Sequence, residues 1–184
     1  KTTLLRLLAG NLLPVSGKII LLDSNGFELQ GSLSECKILY LAQETNFYGG
    51  VLRDVVDPSR SHSVDQLEDA ASAMNLGDVL NTLPLRWKTP VNEYSRDLSL
   101  GQLQLFKISR TLLDQYDVIL SDEPTCHLPE DRHLEALDLL NKSCKLHLSV
   151  LHRMSGLILF DNIIKLDQNG RIQLSSSSDS EVEQ

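Results

Sequence analysis

Val118-Ile119-Leu120-Ser121-Asp122-Glu123 is the stretch whose reading decides the fold. Asp117–Leu120 has the length and apolar content of a short buried strand, and the run closes on two carboxylates. Successive strand residues point to opposite faces, so the two acids are expected to do different jobs. Asp122 suits a Mg²⁺ shell, and Glu123 suits polarising an attacking water. A helix-capping Asp-Glu pair ahead of Pro124 is the plain alternative. Outward from this run, apolar strands are expected at Lys18–Leu22, Lys37–Leu41 and Leu146–Leu151. Helical patterns lie among them. Thr3–Ala9 is stopped by Gly10, and the run after Ser99 carries Leu103, Phe106 and Leu113. A third helix places Pro129 in its first turn, where a missing N–H costs nothing, and lines one side with Leu134, Leu137 and Leu140. Strands alternating with helices predict an α/β fold with a largely parallel sheet. Phosphate ligands then sit at the carboxyl ends of the strands.

Polar residues fall at those ends. Gln43 follows the strand Lys37–Leu41, where an amide can reach Mg²⁺ or its water. His152 closes Leu146–Leu151 and could donate to a terminal phosphate. Alone, each is as readily a bystander, and His147 reads as a partly buried example. Lys1-Thr2-Thr3-Leu4-Leu5-Arg6-Leu7-Leu8-Ala9-Gly10 reads as the tail of a phosphate loop, G-x-x-x-x-G-K-S/T, running into its helix. There the lysine reaches the β- and γ-phosphates, the next hydroxyl holds Mg²⁺, and the helix N-terminus favours anions. The glycine half of the loop and the strand before it are not in the chain, so the expectation is a domain cut within its own phosphate loop.

Between the strand-bearing parts, residues 47–103 change character. Ser63-Val64-Asp65-Gln66 fits a capping box, and Leu67, Ala70, Ala71 and Met74 form an amphipathic stripe behind it. Leu76, Val79, Leu80 and Leu83 extend the apolar supply. Ser99 and Gln102 of Leu98-Ser99-Leu100-Gly101-Gln102 fit a second capping box, whose hydroxyl and free amides make an anion site. Asn162–Leu166 and Arg171–Leu174 flank Asp167-Gln168-Asn169-Gly170, a hairpin signal. Residues 175–184, serines and scattered acids, read as a solvated, disordered tail.

The chain has 184 residues, a net charge of −8, 41% hydrophobic and 23% charged residues. That is the composition of a globular domain, and the acidic balance disfavours nucleic acid as a partner. Cys36, Cys126 and Cys144 lack metal-ligand spacing and read as free or buried thiols. No apolar run approaches the ~20 residues that span a bilayer.

The order of these signals, Lys-Thr, Gln, L-S-x-G-Q, apolar-Asp-Glu and His at 1, 43, 98, 122 and 152, resembles the nucleotide-binding domain of ATP-binding cassette (ABC) proteins through about Leu174. The resemblance implies a P-loop NTPase-like α/β fold with mostly parallel sheet, an inserted helical subdomain at 47–103, core segments at 1–46 and 104–174, and the first strands missing. It implies ATP and Mg²⁺ as ligands. Lys1, Thr2 and Thr3 match the end of Walker A, Gln43 the Q-loop, Ser99, Gly101 and Gln102 the signature, Asp122 the Walker B carboxylate, Glu123 the catalytic glutamate and His152 the switch histidine. Thr2, Gln43 and Asp122 would serve the metal. In the family two such domains meet head to tail with ATP between one domain's Walker motifs and the other's signature, and they drive transmembrane domains from the cytoplasmic face of a membrane. Gly50-Val51-Leu52-Arg53-Asp54-Val55-Val56-Asp57-Pro58 is similar to the G-T/S-I/L-R-x-N-I/L-D-P stretch of C-type, multidrug-resistance-associated exporters, and Leu100 fits their signature variant.

Departures exist. Where the family has S-x-L-D, this chain has Cys126-His127-Leu128-Pro129. Ser121 replaces an apolar residue before Asp122, and Leu151 a small polar one before His152. They bear on coupling across a dimer more than on nucleotide binding. The expected function is an ATPase domain that powers transport. Two alternatives stand beside it: a soluble ABC ATPase of translation or DNA repair, and a non-hydrolysing regulatory domain.

Overall fold

A computed structural model describes residues 1–20, 22, 26, 36–43, 50–92, 97–167 and 170–176. Residues 21, 23–25, 27–35, 44–49, 93–96, 168–169 and 177–184 lie outside these, among them parts of the expected strand at 18–22, helical segment at 47–103, hairpin signal at 167–170 and tail at 175–184.

Three parallel strands carry the core: β1 (Ile38–Leu41), β4 (Tyr116–Asp122) and β5 (Cys144–Val150), in the order β1-β4-β5. Their alternation supplies two apolar faces, as a parallel sheet covered on both sides requires. Ile38, Tyr40, Val118, Leu120, Leu148 and Val150 gather around Leu5 of α1 (Thr2–Leu8), which is buried. Leu39, Leu41 and Ile119 join the larger cluster with α5 (Leu100–Ser109) and α6 (Glu130–Lys142), through Leu103, Phe106, Ile108, Leu137 and Leu140. Burying a leucine such as Leu5 is worth roughly 2 kcal/mol, and here it fixes α1 against the centre of the sheet.

The helical segment holds α2 (Leu52–Val56), α3 (Val64–Ala73) and α4 (Gly77–Thr82), tied by a short antiparallel pair, β2 (Gly50–Val51) and β3 (Pro90–Val91). Ser63 caps α3 as its spacing predicts: the Gln66 amide donates to Ser63 Oγ at 3.3 Å and the Ser63 amide to Gln66 Oε1 at 2.9 Å. Leu67, Ala70, Ala71 and Met74 are all buried. Helix α5 runs through the boundary drawn at 103/104. The hairpin forms from β6 (Asn162–Leu166) and β7 (Ile172–Ser176), antiparallel.

Three expectations need correction. The strand expected over Lys18–Leu22 does not form at residues 18–20, and Leu22 makes an isolated bridge. Ile20 and Leu22 are exposed, so the apolar content of the run is not matched by burial. Pro129 is the N-cap of α6, one residue ahead of its first turn, with φ −64° and ψ 163°. The tail does not begin at 175, because Ser175 and Ser176 pair with Ile163 and Asn162 in the hairpin.

Candidate active site

The register of the sheet places the candidate residues. Leu41 pairs with Ser121 and Ser121 with Ser149, while Asp122 pairs with Val150. Gln43, the Asp122-Glu123 pair and His152 therefore leave three adjacent strands at the same carboxyl edge. His152 Nε2 lies 2.8 Å from Glu123 Oε1, with Glu123 largely shielded and His152 open to solvent. Asp122 is 1% exposed, and its Oδ2 is buried without a hydrogen-bond partner. Gln43 lines a small recess with Ala42, Gln104, Lys107 and Pro124.

Strand pleat does not extend to the second carboxylate. β4 ends at Asp122, and Glu123 has φ +50°, the left-handed region that residues with a side chain enter at a cost. The reversal is pinned by the Glu123 amide, which donates to Val150 O at 3.0 Å.

What holds the segment after Glu123 was not legible in the sequence. Gln104, buried inside α5, donates from Nε2 to Glu123 O at 3.3 Å and lies 3.3 Å from Cys126 Sγ, while its Oε1 accepts from the His127 amide at 3.0 Å. Arg153 reaches back from beside His152 to donate to Leu128 O at 2.7 Å and Cys126 O at 3.2 Å. Thr125 Oγ1 meets His133 Nδ1 at 2.7 Å. Gly101 packs so closely that an added Cβ would sit 3.0 Å from His127 O. On the next turn of α5, Lys107 Nζ donates to Ala42 O, beside Gln43. Burial lowers the Lys107 pKa, offset in part by Cys126 and Asp122. A glutamine in a helix of leucines is the one signal that could have drawn attention to this array.

The other candidates stand as follows. Lys1 is the N-cap of α1, exposed like Thr3, with Thr2 half-buried. Ser99 caps α5: the Gln102 amide donates to Ser99 Oγ at 3.1 Å, and the Ser99 amide to Gln102 Oε1 at 2.8 Å. Ser121 is fully buried, and its hydroxyl is satisfied by His147 Nε2 at 2.8 Å and Ser149 Oγ at 2.9 Å. Burial pushes the His147 imidazole down to about 4. The serine before Asp122 is thus a matched polar pair with His147. Among the described residues no cluster of three or more His, Cys, Asp or Glu side chains is set to hold a metal, and no helix is long and apolar enough to cross a membrane.

The sequence model of the ABC transporter family matches residues 1–126. The chain is 31% identical over 171 residues to the lactococcin-G-processing and transport ATP-binding protein LagD of Lactococcus lactis subsp. lactis, covering 91% of this chain and 24% of that protein. It is 28% identical over 175 residues to ABC transporter C family member 7 of Arabidopsis thaliana, covering 91% of this chain and 11% of that protein. The solved structure of a bacterial Atm1-family ABC exporter with ATP bound superposes with a TM-score of 0.80 at 25% identity, over 98% of this chain and 32% of that one. The chain thus spans a third or less of each of these proteins. With the family's model running across two-thirds of its length, and an α/β fold shared with an ABC exporter, this chain belongs to the ABC transporter family.

Proposed function

We propose that this chain forms an ATP-hydrolysing domain that powers transport across a membrane, working head to tail with a second such domain. The observation that carries the reading is the 2.8 Å contact between His152 and Glu123 at the edge where Asp122 keeps an unpaired, buried oxygen. Phosphoryl transfer asks for positioning and charge neutralisation more than covalent chemistry, and these groups supply both. Glu123 orients the attacking water, His152 donates to the γ-phosphate and holds Glu123 in place, and Lys1 neutralises the same phosphate. A carboxylate oxygen left unpaired, taken with a hydroxyl and an amide oxygen, is a donor set that suits Mg²⁺ bound partly through phosphates. Asp122, Thr2 and Gln43 would hold the ion, which when bound spreads the developing charge. Thr3 follows in the same turn of α1. At the start of α5, Ser99, Gly101 and Gln102 complete the partner's site: the cap uses Ser99 Oγ as an acceptor, so its O–H remains a donor toward phosphate.

Several finer assignments rest on this reading. Lys1 and Thr2 act as the lysine and hydroxyl that end a Walker A motif. Residues 47–103 act as the helical subdomain, between core segments 1–46 and 104–174, and Gln43 reports γ-phosphate status to transmembrane domains at the cytoplasmic face of the membrane. The Gly50–Pro58 stretch and likeness to plant C-family members favour a C-type exporter. The test is Glu123→Gln in the full-length protein. It should lower ATPase turnover by roughly 10²–10⁴-fold, as expected for a lost general base, while ATP still binds. Turnover at the wild-type rate would refute the assignment.

A further inference from the structure

A glutamine buried among leucines is costly unless both ends of its amide are used. Gln104 is 3% exposed, and both ends are used on one target, the loop that follows β4. Its Oε1 takes the His127 amide and its Nε2 serves Glu123 O, with Cys126 Sγ at the same distance. Glu123 is also the residue whose backbone is left-handed at φ +50°. Such a conformation persists when neighbouring groups over-determine it. Here the peptide groups on either side of Glu123 Cα are both held: the N–H by Val150 O, and the C=O by Gln104 Nε2.

We propose that Gln104 is a positioning residue for Glu123, fixing the reversed backbone that aims the carboxylate, and that through it the capped start of α5 is coupled to the chain's own hydrolytic loop. The inference rests on the ATPase reading above. Ser99 and Gly101 sit one turn before Gln104 on the same short helix, and Gly101 touches the same loop at His127 O. A shift of α5 when its N-terminus engages a partner's phosphate therefore moves Glu123 with it. The two composite sites of a dimer are linked inside one chain by an amide.

The experiment combines two substitutions with two readouts in the full-length protein. Gln104→Met keeps volume and helix propensity but removes the amide. Gln104→Glu keeps the acceptor for the His127 amide and loses the donor to Glu123 O. The first readout, hydrogen exchange of the 123–128 amides, is independent of activity. Gln104→Met should speed exchange at His127, while Gln104→Glu should leave that amide protected. The second readout is steady-state ATPase. Both variants should lose about 10–10²-fold in kcat, the scale of a catalytic group displaced by about an ångström, with KM for ATP within about twofold of wild type. In a Glu123→Gln background either substitution should cost less than about twofold more, because groups acting as a unit are non-additive. Raised KM together with additive loss in that background would mark a merely structural role and overturn the proposal, as would unchanged kcat in Gln104→Glu. A wild-type protein without ATPase activity would overturn the parent reading instead, and the exchange data would still report whether Gln104 holds the loop.

Discussion

His147 offers a quantitative test of how the sheet accommodates Ser121. The imidazole is enclosed by Ser121 Oγ at 2.8 Å on Nε2 and Asn141 Oδ1 at 2.5 Å on Nδ1. Asn141 is oriented by its own amide, which donates to Leu159 O at 2.7 Å, so its oxygen faces the ring and Nδ1 carries the proton. Burial holds His147 at about 4, against a reference near 6.5 for an unfolded histidine. Between those values the unfolded chain binds a proton that the folded chain refuses. The stabilisation is therefore complete above about pH 6.5 and is lost as pH falls toward 4. From pH 7 to pH 4.5 the loss amounts to roughly 2 kcal/mol at about 1.4 kcal/mol per pKa unit. His147→Gln should abolish it, because a glutamine amide can donate to Asn141 Oδ1 without titrating. The assay is urea unfolding of both proteins at the two pH values. His133, lowered by burial and by Arg153, contributes in the same direction but is common to both and cancels in the difference. If wild type and variant lose the same stability over this interval, the buried neutral pair is wrong.

Two further outcomes can be measured on the same footing. Gly101→Ala would drive a Cβ to 3.0 Å from His127 O and 3.5 Å from Leu128 Cδ2, and should cost about 1–3 kcal/mol by overpacking, read as a lower urea midpoint; no change would mean that α5 is not seated on this loop. For Asp57, burial alone would raise the carboxyl, but hydrogen bonds from His62 and from Ser59 and Ser61 hold it down at about 2, so Asp57→Ala should cost about 3 kcal/mol at neutral pH. That contribution is present above the unfolded value of 3.8 and fades as pH falls through 2, so the two proteins should converge in stability at still lower pH.

The parts of this molecule that were readable in advance are those set by local chemistry. Ser63 with Gln66 and Ser99 with Gln102 announce their helices because a capping box closes within four residues. The strand ending at Asp122 announces itself because an apolar run stops on carboxylates. The aim of Glu123 was misread as pleat alternation; it comes from a left-handed turn fixed by Val150 and Gln104, which are 27 and 19 positions away in sequence. The roles of Gln104, Arg153 and Lys107 depend on carbonyls brought near by the fold, and no spacing rule encodes those. Ser121 looked like a defect until its partner His147, on the neighbouring strand, was in view. At residues 18–20 the expected strand does not form, because apolar composition is a local property and burial, which leaves Ile20 exposed, is not.

The central claim is that side chains leaving three adjacent strands, together with the start of α1, converge on one triphosphate. A cryo-EM structure of the full-length Glu123→Gln protein with ATP and Mg²⁺ tests it most directly. The account predicts the γ-phosphate within about 3 Å of both His152 Nε2 and Lys1 Nζ, with the metal against Asp122. Nucleotide bound elsewhere, or bound with Asp122 and His152 turned away from it, would contradict the account.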